Sequence, residues 1–161
     1  MVGLLGAPLP GTACPVERTI AYSRDTTPGI PPGGRTEGAL RRPISTTYLV
    51  YLVVAKGGPP AVSGVWIKGT YFTVTLRRVQ TPVVAEHDGA VPTGESDVLV
   101  PATSSTVYEL RPGDEQPWSA GSAEEESLTR DNELVVFLRV GRSTRYCPVK
   151  TIERLPPVAG Q

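Results

Sequence analysis

The chain has 161 residues, a mass of 17.1 kDa and 16 Lys+Arg against 16 Asp+Glu. That length suits one domain, and a pI of about 6.6 without basic excess argues against a dedicated nucleic-acid binder. Gly and Pro supply 34 of the 161 residues, about 21% against a usual level of roughly 12%, which excludes a mainly helical fold because both residues interrupt helices.

The surplus is uneven along the chain. Residues 1–60 hold nine Pro and nine Gly, and Thr26–Gly38 reads TTPGIPPGGRTEG, without helical or strand periodicity. Residues 1–43 therefore read as an extended Pro/Gly-rich arm, dispensable for folding, the alternative being a long ordered leader packed on the domain surface, with the domain spanning 44–157 and a disordered tail at 158–161. The stretch Val2–Ala13, small and apolar and followed by Cys14, resembles the end of a bacterial lipoprotein signal, in which a small residue precedes the lipid-bearing Cys. It departs from that pattern in having no Lys or Arg ahead of the apolar stretch, in Pro8 and Pro10, and in Gly11 three positions before the Cys. The resemblance implies export to the periplasm, the cell surface or the medium, with Cys14 as a lipidation site and that lipid as the only tie to a membrane; a coincidental match leaves the chain cytoplasmic. No run comes near the roughly 18 apolar residues of a spanning helix.

Thr47–Ala55, TYLVYLVVA, is apolar on both alternating faces and predicts a central strand ended by Gly57-Gly58-Pro59-Pro60. Residues 61–79 predict a hairpin turning at Lys68-Gly69, where Gly makes positive φ inexpensive. Further strands are predicted over Ser96–Pro101, Thr106–Leu110, Glu133–Val140, Thr144–Lys150 and Thr151–Leu155. Ser122-x-x-Glu125 has capping-box spacing, so the acidic stretch after it is either a short helix or a solvated loop. The expected fold is all-β: a single antiparallel sandwich or partly open barrel of about seven short strands.

The hairpin register carries the most specific functional hint. Val65 faces Phe72, Ser63 faces Val74 and Ile67 faces Thr70, making an apolar core face with Leu76. The opposite face carries Trp66, Tyr71, Thr73, Thr75 and Val62. An aromatic pair on a Thr-lined face either stacks on a protein or sugar partner or is covered by another strand, the arm or a long loop.

Charge is segregated: residues 113–133 carry seven acids and one base, while 134–161 carry five bases and one acid. These stretches either neutralise each other, or the basic tip of the last hairpin, with Arg139, Arg142 and Arg145, docks an acidic partner. Cys14 and Cys147 match no metal-ligand spacing; they either form one disulfide closing a long loop or, with Cys14 lipidated or removed with a signal, leave Cys147 alone as a small buried hydrophobe, and the second outcome is the one expected. His87, the only histidine, lies between Glu86 and Asp88, and adjacent side chains diverge, so neither a catalytic triad nor a zinc site follows; Glu95 and Asp97 do not complete one. No catalytic residue, metal or cofactor is expected. The reading is of a non-enzymatic exported binding or accessory module for a protein or glycan. The alternative is an oligomeric structural subunit of a virus particle or secretion machine, its arm ordering on a neighbour, and an enzyme comes third.

Overall fold

In a computed structural model the described residues are 14–27, 45–55, 58–85 and 98–159. They form eleven strands and one helix: β1 Arg18–Thr27, β2 Ser45–Val54, β3 Val62–Ile67, β4 Thr70–Val79, β5 Val83–Val84, β6 Val98–Val100, β7 Thr106–Gln116, α1 Ala123–Asp131, β8 Leu134–Val140, β9 Ser143–Val149, β10 Glu153–Arg154 and β11 Val158–Ala159.

β2 is apolar on both alternating faces, and both are used. Val50, Leu52 and Val54 point into the main core, while Tyr51 and Val53 point into a second cluster on the outer face. The main sheet runs β10-β1-β2-β7-β4-β3-β8-β9 and curls into a half-barrel, with β11 also on β1. Its interior is lined by buried residues such as Ala21, Leu52, Leu110, Val65, Leu134 and Cys147, with Phe72, Val74 and Leu76 of β4 partly buried against them. β5 and β6 form a separate two-stranded sheet.

The all-β expectation holds, in its partly open barrel form, with three differences. The sheet is mixed, because β10 and β11 run parallel to β1. A chain leaving β9 and crossing the open seam arrives at β1 already headed in β1's direction. The expected arm contains β1, which pairs with β2 from Arg18↔Val53 to Thr26↔Ser45. Ile20 and Tyr22 alternate with Ala21 and Ser23 there, a two-residue period that Pro/Gly averaging over the first sixty residues hides. The expected tail contains β11, paired through Thr26↔Val158.

The Lys68-Gly69 turn has both residues at positive φ, 44° and 94°, the twist that suits a two-residue hairpin. Val65↔Phe72, Trp66↔Tyr71 and Ile67↔Thr70 pair as the register predicts. Ser63 and Val74 are not partners, because a bulge falls at Ser63, opposite β8. The extra residue resets the alternation, so Val62 packs on the interior rather than the outer face.

Two connections matter for what covers the outside. β7 and β8 are separated in the sheet by β4 and β3, so residues 117–133 must cross over both. Between β4 and β7 the chain detours through the β5–β6 sheet, which packs outside β2 and β7. No helix among the described residues is long and apolar enough to cross a membrane.

Candidate functional site

The crossover from β7 to β8 decides the fate of the predicted aromatic face. Trp118 stacks on Tyr71, with ring centroids 6.0 Å apart and planes 7° from parallel, and lies 6.4 Å from Trp66. Phe137 meets Tyr71, Trp118 and Tyr146 edge-on at 5.3–5.8 Å. Five of the chain's ten aromatic residues thus form one cluster, capped by Leu128 of α1. Tyr71 lies directly over Gly64, where an added Cβ would sit 2.0 Å from the phenol oxygen. Trp66 and Tyr71 are therefore half-buried packing residues under a long loop, not an open platform.

Helix α1 is pinned at its start. Ser122 caps it, accepting from Glu125 N at 3.1 Å. Glu125 in turn accepts from Gly121 N and from the Tyr146 hydroxyl, both at 2.8 Å. Burial first, and then Glu125, push the Tyr146 phenol up to about 12.

The remaining predicted site residues separate. Thr73 is exposed, and its Oγ1 accepts from Asp114 N at a β-bulge, where an added Cβ on Gly113 would sit 2.6 Å from that oxygen. Its role is to hold the bulge. Thr75 is exposed opposite Arg111 of β7. Arg139 and Arg145 do not share a face: Arg139 follows the outward alternation of Val135 and Phe137, whereas Arg145 pairs with Leu138 of the interior. Arg142 sits at the turn after Gly141, so the three cations form no single patch. Among the described residues, none of them forms an ion pair with the acidic stretch, whose Glu133 and Asp131 pair instead with Lys68 and Arg130.

Cys14 is bonded to Cys147. The bridge consumes the sulfur that a lipid thioether would require, so lipidation and pairing exclude each other at Cys14, and Cys147 is not the unpaired residue expected. Glu86, His87, Asp88, Glu95 and Asp97 lie outside the described residues. Among those described, no group of three His, Cys, Asp or Glu could hold a metal ion.

A concave site lies on the other part of the outer face, between β1, β2, β7, β4 and the β5–β6 sheet. It is a groove of about 660 Å³. Apolar side chains including Leu49, Tyr51, Val79, Val83 and Leu99 line it, with Arg24, Arg77, Glu109 and Arg111 among them. Register explains the convergence: Tyr51 pairs with Glu109, Glu109 with Arg77, and Thr75 with Arg111, so the charged groups share one face of adjacent strands. Glu109 is held between two guanidiniums, accepting from Arg77 at 3.4 Å and from Arg111 in a short contact. Its side chain is 12% exposed, whereas those of Arg77 and Arg111 are 59% and 58% exposed. Burial, and then the Glu109 carboxylate, push the Tyr51 phenol up to about 12, so it is neutral at physiological pH.

Sequence reading missed this groove. Glu109-x-Arg111 on one strand places both charges on one face, which is a usable signal. Nothing local says that β4 supplies Arg77 beside them, because β4 and β7 become neighbours only in the folded sheet. Compared with known family models, curated proteins and solved structures, the chain matches none.

Proposed function

We propose that this protein is a small exported, non-enzymatic β-domain that serves as a binding or accessory module for a protein or glycan in a bacterial envelope. The observation that carries the proposal is the Cys14–Cys147 bridge, which joins the segment before β1 to β9 at the other end of the sheet. Disulfides of this kind persist in oxidising compartments and are rare in the cytosol. The bridge speaks for a released domain rather than one held by a lipid on Cys14.

The test is thiol trapping of protein taken from its native cells, with mass measured before and after reduction. Cysteines that resist alkylation until reductant is added, in an extracytoplasmic fraction, are the expected result. Freely alkylated cysteines in a cytosolic fraction would overturn the export reading. Sedimentation is expected to show a monomer or small oligomer, and a large particle would favour a structural subunit instead.

A further inference from the structure

We propose that the outer groove binds an organic monocarboxylate with an apolar body, of the class of a medium-chain fatty acid, and that Arg77 and Arg111 receive the carboxylate. The inference rests on the groove and not on the disulfide or on export, so it can fail while that reading stands.

Charge counting selects the head group. Arg77 and Arg111 contribute two positive charges around one carboxylate, Glu109, leaving a net single positive charge in the triad, while Arg24, the third arginine of the lining, has an interaction of its own. Glu109 accepts one bond from Arg77 Nη2 and one from Arg111 Nε. Each guanidinium carries five donors in a planar fork, so both keep donors for a second carboxylate. The two side chains are more than half exposed at the rim of the groove, whereas Glu109 is sunk beneath them and holds them in place. Arg–carboxylate bonds of this kind are among the stronger hydrogen bonds, and a partly buried setting strengthens them.

The lining selects the body. Leu49, Val79 and Val83 are only half-buried although they pack on the outer cluster, which leaves apolar surface facing the groove. Leu99 and Tyr51 close it from behind, and Tyr51 stays uncharged. Aliphatic walls give little to a polyhydroxylated ring and favour a hydrocarbon chain. A groove of about 660 Å³ has room for such a chain.

The experiment titrates the intact, oxidised protein with decanoate, decanol and acetate by calorimetry and by amide shifts of groove residues. Decanoate is expected to bind at least about tenfold more tightly than either control, because only it satisfies both rim and walls. Arg77→Gln/Arg111→Gln should weaken decanoate about tenfold or more while leaving decanol unchanged. That variant leaves Glu109 without its partners and can unfold the site. Glu109→Gln serves as the second arm: it removes the competing carboxylate and is expected to tighten decanoate binding. Equal affinity for decanoate and decanol, equal affinity for decanoate and acetate, no binding of decanoate, or no tightening in Glu109→Gln would each overturn the assignment.

Discussion

Cys14 and Cys147 are 133 positions apart in the chain, yet their Cα atoms are 4.7 Å apart and their sulfurs are bonded. In the sheet, β1 and β9 lie toward opposite ends of the strand order, with β2, β7, β4, β3 and β8 between them. The bridge therefore crosses the open side of the half-barrel, where no backbone ladder joins β1 to β9. It acts with the segment that follows β9, whose β10 pairs with β1 and whose Leu155 N donates to Ser23 O at 2.8 Å, to hold the two ends together.

Reducing this bridge should cost much of the domain's stability. Closing a loop of more than ~100 residues is worth about 4–5 kcal/mol on the chain-entropy account. Chemical denaturation with and without reductant, and of Cys14→Ser/Cys147→Ser, is expected to show a loss of about 3–5 kcal/mol. A midpoint that does not move on reduction would count against the bridge as the closure of the barrel.

Removing residues 1–43 is expected to abolish cooperative melting. The deletion takes away β1, its ladder with β2, and the Cys14 half of the bridge. It also exposes the edge of β2 and the interior residues that Ala21 covers. Calorimetry of the truncated chain decides the matter, and a sharp transition there would return β1 to the status of a dispensable arm.

Trp118→Ala should cost about 3–4 kcal/mol, a little less than for a fully buried aromatic, because Trp118 is only half-buried. It should also move the emission of Trp66, the one tryptophan left, toward longer wavelength, since Trp118 stands between that ring's neighbourhood and water. Unchanged emission would mean that the crossover does not shield the aromatic face.

Stability should fall as pH rises from about 10 to about 12. Tyr51 and Tyr146 titrate near 10.0 when exposed and near 12 in the folded protein. Between those values the folded state binds more protons than the unfolded state, so the stability present below pH 10 is lost on going up. Tyr146→Phe and Tyr51→Phe should each flatten this dependence, measured as denaturation midpoint against pH. A slope identical to that of the parent in both variants would locate the alkaline sensitivity elsewhere.

Much of the local architecture was legible in the residues. The strand alternation in TYLVYLVVA, the Lys68-Gly69 turn and the Ser122–Glu125 cap each depend on a few neighbours, and each appears where its spacing puts it. β1 was obscured because its alternation is short and lies within a Pro/Gly-rich region. The bulge at Ser63 was not readable either, since an extra residue on β3 has meaning only against β8.

The sequence alone thus determined an all-β chain, the hairpin pairs nearest the turn and the inward side of Val65, Ile67 and Phe72, because a two-residue period and turn chemistry act within a few residues. Only the tertiary structure decided that Trp118 covers Tyr71, that Cys14 meets Cys147, and that Arg77 and Arg111 flank Glu109. Those three relationships depend on which distant strands become neighbours and on which face a crossover takes. Closing such loops is governed by the packing of the whole barrel, and no short stretch of the chain carries that information.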